Sequence, residues 1–260
     1  MARATVSKHN EETGHSEAKQ RGKRGRPRGI ATQTVYEALR EEILTLIARP
    51  GQYLDEYQLE ERFGVSRTPI REALIRLQSD RLVRFSANRG HFVEVINIDE
   101  IPALFEALDL YQAAVLRLAA DRYSLENLKG LDDINENYLL AASDGDFRTM
   151  TEMNYQFHML IGKISGNTFL AESYKTILNY SIRLTFLMFE KASRHPNDYE
   201  NYYTRVYNEH KEMIELIRTG QKDMLEEQSK LHTQLFCSRV ISFIQQREGF
   251  RTAPQDFFSQ

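Results

Sequence analysis

The chain has 260 residues, 41% of them hydrophobic, and a formal net charge of −3, enough apolar material for one large or two ordinary domains with true cores. Its longest apolar runs fall far short of the roughly 20 residues a bilayer span needs, and the basic, polar start lacks a signal peptide's apolar centre; a cytoplasmic protein with no membrane partner is expected. Cys237 is the single cysteine, which excludes an internal disulfide framework and a cysteine-based structural zinc.

Charge is unevenly divided. Residues 1–29 carry eight Lys/Arg against three Glu, or +5; residues 30–96 carry nine against ten, or −1; the remainder carries seventeen against twenty-four, or −7. The profile reads as a basic arm, a near-neutral reader at 30–96, an acidic body at 97–250 and a tail at 251–260, so DNA contact is expected from the N-terminal third.

The arm has almost no large apolar residue and cannot offset its ordering entropy, which predicts disorder when free. Its centre, Arg24-Gly25-Arg26-Pro27, resembles the core of an AT-hook. Gly and Pro keep such a segment narrow, so that Arg24, Arg26 and Arg28 are expected in the minor groove of A·T-rich DNA; the plain alternative is a solvated basic tail.

A first helix is predicted from Thr34-x-x-Glu37, read as a capping box, and from Val35, Leu39, Ile43, Leu46 and Ile47 at helical spacing, ending at Pro50-Gly51. A short helix follows with Leu59 and Phe63 as its apolar pair and Gly64 as its stop. Ser66 is then a good N-cap for a third helix in which Ile70, Ala73, Leu74 and Leu77 form an apolar sector. On its adjacent sector lie Arg67, Thr68, Arg71 and Ile75, including residue types that pair with guanine edges and phosphates in a major groove. Leu82–Phe85 and His91–Val95 read as two strands of a wing, with Arg89 at its tip in reach of a phosphate or the minor groove.

Val65-Ser-Arg-Thr-Pro-Ile-Arg-Glu-Ala-Leu-Ile-Arg-Leu77, followed by Arg81-Leu-Val83 and Asn88-Arg-Gly90, closely resembles the signature of GntR-type regulators. The resemblance implies that Ser66, Arg67, Thr68 and Arg71 face DNA and that Gly90 of the wing lies against it. It also implies a change of contact in the short second helix, where Tyr57 stands in place of a DNA-contacting Arg.

From about residue 98 onward helical periods are broken by Ser/Gly/Asp/Asn/Pro clusters, which predicts six helices at 98–121, 125–143, 146–165, 167–192, 198–219 and 221–247. Short connections favour antiparallel packing. The fold class is therefore mostly α, a winged helix-turn-helix followed by an antiparallel six-helix bundle. His158, His210 and His232 fall mid-helix on three helices, and Asn154 shares a helix face with His158. Buried histidines often only satisfy core hydrogen bonds, so spacing alone does not choose between core and metal.

A GntR reader followed by six or seven helices resembles the FadR-type branch with an FCD effector domain, the six-helix count being closer to its VanR-like group. The resemblance implies a metal held by Asn154, His158, His210 and His232, with Asn154 standing where Asp is usual. Three neutral imidazoles suit zinc or nickel and leave a position for an effector carboxylate. Leu108 and Gln112 occupy positions where the family often carries Arg and Glu, so Tyr180, Arg183 and Asn208 are named as replacement pocket contacts.

The expected function is a non-enzymatic regulator, a repressor, that binds a pseudo-palindromic operator as a homodimer and is released by a small organic acid. The alternatives are a metal-dependent hydrolase using the three-histidine centre, with Glu209 as a conceivable base, and an architectural DNA-binding protein working through the arm.

Overall fold

A computed structural model describes Met1 and residues 28–189 and 196–248. Residues 2–27 of the arm, Arg24 and Arg26 among them, and the tail lie outside the described residues, and Arg28 opens the first helix.

Helix α1 spans Arg28–Leu44. It begins before the expected capping box: Thr34 sits inside the helix, its hydroxyl donating to the Ile30 carbonyl at 2.9 Å, while Gln33 donates to Glu37. A threonine that bonds back one turn satisfies itself within a helix, so Thr-x-x-Glu does not mark a start here. The helix also stops short of Pro50, because Leu46 adopts a φ of +60°. Val35, Leu39 and Ile43 are buried as the period requires, but Ile47 lies past the end and is 61% exposed.

The reader continues through β1 (Tyr53–Leu54), α2 (Glu56–Phe63), α3 (Arg67–Ser79), β2 (Val83–Ser86) and β3 (Gly90–Val93). Asp55 caps α2 by accepting from the backbone N–H groups of Tyr57 and Gln58, and Gly64 closes it in the left-handed conformation. Ile70, Ala73, Leu74 and Leu77 of α3 are all buried. The sheet is antiparallel in the order β1-β3-β2, with Tyr53 opposite Phe92 and Phe85 opposite His91. Strand β1 was not anticipated, since two residues are too few to show alternation.

A 3₁₀ turn (Ile98–Glu100) leads into α4 (Ile101–Arg122), α5 (Leu125–Ser143), α6 (Phe147–Ile164), α7 (Thr168–Phe189), α8 (Pro196–Thr219) and α9 (Lys222–Glu248). These six helices agree closely with the expected spans. Helix α5 starts at a capping box formed by Ser124 and Asn127. One apolar cluster runs from Val35 and Leu74 of the reader to Phe157, Ile182 and Val240 of the body, and no helix among the described residues is long and apolar enough to cross a membrane.

At the wing tip Gly90 has a φ of +85°, and a Cβ there would meet Tyr53 Cε2 at 3.1 Å. Gly90→Ala is expected to cost about 1–3 kcal/mol of stability through the strained backbone conformation, read from the urea unfolding midpoint.

Candidate functional site: a winged reader and a three-histidine centre

On the reader, Ser66, Arg67, Thr68, Arg71 and Ile75 are exposed along one side of α3, with Tyr57 of α2 exposed beside them. Ser66 occupies the N-cap with extended backbone but makes no side-chain cap bond. The first N–H groups of α3 therefore lack a hydroxyl partner and can serve a phosphate. Arg89 is exposed, and both it and Arg84 stack over the Phe92 ring at 5.5 and 5.1 Å.

In the body, α6, α8 and α9 each contribute one histidine to a common point. His158, His210 and His232 are buried, and their ligand-capable nitrogens lie within 4.8 Å of one another. Every Nδ1 has a partner. His158 Nδ1 meets the Tyr174 hydroxyl at 3.2 Å, and that hydroxyl donates to Gln112 Oε1 at 3.1 Å. His210 Nδ1 faces Asn135 Oδ1 at 3.0 Å, and His232 Nδ1 faces Glu209 Oε2 at 2.8 Å. Because the Asn and Glu oxygens only accept, His210 and His232 carry their protons on Nδ1, and the Tyr174–Gln112 bond leaves the phenolic oxygen free to accept from His158 in the same way. All three Nε2 lone pairs then remain available to a metal, with the partner network fixing tautomer and ring orientation.

The electrostatics agree. Burial holds the imidazoles of His158 and His210 well below their ordinary range, with the neighbouring histidines adding to the effect, so both are neutral. Burial opposes ionisation of Glu209, but hydrogen bonds from His232 and from Arg205 outweigh it and keep the carboxyl below its usual range. His210 Nε2 is buried with no hydrogen-bond partner, an unsatisfied acceptor that a cation would complete. The donor set fits a zinc or nickel ion.

Beside the centre lies a cavity lined by Asn154, His158 and His232 together with Leu108, Gln112, Tyr155 and Thr233. Asn154 thus borders the cavity on the same side of α6 as His158. Tyr180, Arg183 and Asn208 do not line it, and the expectation that they contact a pocket ligand is corrected by their position. The Tyr180 hydroxyl accepts from the Asn97 N–H at 2.7 Å and donates to the Asn97 carbonyl at 3.0 Å, while Arg183 is fully buried and donates to the Glu94 carbonyl. Asn208 is exposed on α8, in a polar surface depression with Arg205 and Glu212. It lies two residues from His210, which turns it about 200° away around the helix.

Sequence reasoning missed the partners that orient the rings. Asn135, Gln112 and Tyr174 are remote from their histidines in the chain and carry no periodic signal. It also missed that α7 has two working faces. Leu178, Ser181, Ile182 and Thr185 border the cavity. Lys175, Asn179, Tyr180 and Arg183 hold the reader: Lys175 pairs with Asp80 at 3.0 Å, Asn179 Oδ1 accepts from Arg40 at 3.1 Å, and Tyr180 and Arg183 tie the segment between wing and α4. Tyr155, whose ring borders the cavity, also receives a hydrogen bond from Arg40.

A winged helix-turn-helix joined to a helical domain with a buried polar centre defines a transcription regulator of the two-part, DNA-binding and effector-binding kind. Residues 31–93 match the bacterial regulatory proteins of the gntR family and residues 103–235 match the FCD domain. The chain belongs to the GntR family, with an FCD domain as its body.

It is 30% identical over 142 residues to the Nta operon transcriptional regulator of Aminobacter aminovorans, covering 53% of this chain and 64% of that protein, under two thirds of its length. It is 25% identical over 167 residues to the HTH-type transcriptional repressor RspR of Escherichia coli K12, covering 64% and 73%. In fold it is similar to E. coli McbR/YncC, with a TM-score of 0.70 at 18% identity over 84% of this chain and 99% of that one. A putative GntR regulator from Rhodococcus sp. RHA1 gives 0.59 at 20% identity over 85% and 99%. These relatives are transcription regulators, and Glu209, the conceivable base of the hydrolase alternative, is engaged with His232 Nδ1.

Proposed function

We propose that this protein is a cytoplasmic, homodimeric repressor that reads a pseudo-palindromic operator and releases it when a small organic acid docks at a metal held by Asn154, His158, His210 and His232. The observation that carries this reading is the position of α7, which borders the cavity with one face and grips the reader with the other. The metal, zinc or nickel, would offer a coordination position to an effector carboxylate. Arg67, Thr68 and Arg71 address the major groove, Ser66 and the wing residues Arg89 and Gly90 the backbone, and Tyr57 replaces an arginine contact. Arg24, Arg26 and Arg28 add a minor-groove arm. The similarity to RspR, itself named a repressor, supports the direction of control.

The effector has to change how firmly α7 holds the reader, because a ligand shifts an equilibrium only by its differential affinity for the two states. Tyr155 and Asn179 transmit this through Arg40, whose guanidinium both oxygens share. In Arg40→Ala, a compound selected from aromatic acids, sugar acids and dicarboxylates by its thermal stabilisation of the wild type should still stabilise the variant, while its release of DNA is lost. Unchanged release would remove Arg40 from the route.

Binding-site selection from random duplexes, followed by footprinting, is expected to yield an inverted repeat whose affinity falls steeply with salt; a single asymmetric site bound without cooperativity would sink the dimeric reading. Elemental analysis should find about one zinc or nickel per wild-type chain, on the donor set of three histidines, and little in His210→Ala. Equal, negligible content in both would remove the metal.

A further inference from the structure

The reading side of α3 is built together with two carboxylates that base contacts do not require. Glu56 and Glu60 stand one turn apart on α2 and reach the two arginines of α3. Arg71 Nε donates to Glu56 Oε2 at 2.8 Å, and Arg67 Nε donates to Glu60 Oε1 at 2.8 Å, with Glu56 Oε2 a further 3.5 Å contact. Among the described residues the hydrogen bonds of both arginines run through Nε alone. The carboxylate side chains are 21% and 25% exposed and the arginine side chains 54% and 57%, so the acids lie beneath and the guanidinium groups stand outermost.

Two consequences follow from this arrangement. A guanidinium is planar, so a bond at Nε fixes its plane and leaves the two Nη groups as a free fork, the edge that meets guanine O6 and N7 together. An arginine without such a support can swing to the nearest phosphate, which positions a protein but reports no sequence. The second consequence concerns charge. Two carboxylates under two arginines make the reading side locally neutral, in keeping with the net −1 of residues 30–96, and sequence-independent binding grows with the number of phosphates a protein neutralises.

We propose that Glu56 and Glu60 are specificity-determining positioning residues, which aim the Nη forks of Arg67 and Arg71 at base edges and suppress attraction to phosphate alone. The inference rests on the reading of Arg67 and Arg71 as DNA contacts. Ion pairs this exposed contribute little to folding, so the acids can be neutralised in the full-length protein without unfolding it.

The test is binding-site selection from a random-sequence duplex pool with wild type, Glu56→Gln, Glu60→Gln, Arg67→Ala and Arg71→Ala, alongside affinities for the selected site and for unselected duplex across a salt series. Expected for each Gln variant is an unchanged melting temperature, flatter base preferences, tighter binding to unselected duplex and a fall of about tenfold in the ratio of selected to unselected affinity. The salt slope on unselected duplex should steepen by about one unit. If Arg71→Ala loses the wild-type preferences while both Gln variants keep them and keep the unselected affinity, the proposal is overturned and the arginine reading stands. If both Ala variants retain the wild-type preferences, the arginine reading fails and takes the proposal with it. Should Glu56→Gln unfold, Glu60→Gln, whose carboxylate holds only Arg67, carries the same comparison.

Discussion

Burying three imidazoles in the middle of a helical bundle is costly unless each ring nitrogen has a partner, and much of the body is arranged around that requirement. Asn135 of α5, Tyr174 of α7 and Glu209 of α8 supply one partner each, so the centre draws on α5 and α7 as well as the three helices that carry the histidines. Gln112 extends the network to α4 and to the Ser229 carbonyl of α9. All six body helices are thereby tied to one polar core, and the nitrogens left over converge on a single point.

Helix α7, together with Tyr155 of α6, connects that centre to the reader. A helix of 22 residues shows two faces at once, and the i, i+4 series Lys175, Asn179 and Arg183 turns toward the reader while the intervening residues border the cavity. Arg183 illustrates the tension in this junction. Its guanidinium is fully buried, Nε and Nη1 find no hydrogen-bond partner, and burial lowers its pKa. A buried charge matched this incompletely is costly to hold, and the packing of α7 against the segment after the wing keeps it in place.

The reader follows the opposite electrostatic plan. Its arginines stand on half-buried carboxylates rather than in a positive field, and residues 30–96 carry a net charge of −1. The near-neutral reader thus stands apart along the chain from the basic N-terminal segment, whose net charge is +5.

The sequence by itself determined the element order, the buried stripe of α3, the wing and the six helices of the body, because these depend on local periodicity and on punctuation by residues such as Gly64 and Ser124. It also singled out His158, His210 and His232, since a histidine in mid-helix is informative wherever the helix packs. Short-range pattern misled where a side chain could satisfy itself in more than one way, as Thr34 does inside α1, and it was silent on the two-residue strand β1. Only the tertiary structure decided which polar residues meet. Asn135 is 75 residues from His210 and Arg183 is 89 from Glu94, and no periodicity spans such distances. By resemblance alone, Arg183 and Tyr180 read as polar substitutes for the Arg and Glu that the family often carries where Leu108 and Gln112 stand here. Their place at the junction was set by the packing of α7 against two domains at once, a property of the assembled chain that neither segment carries alone.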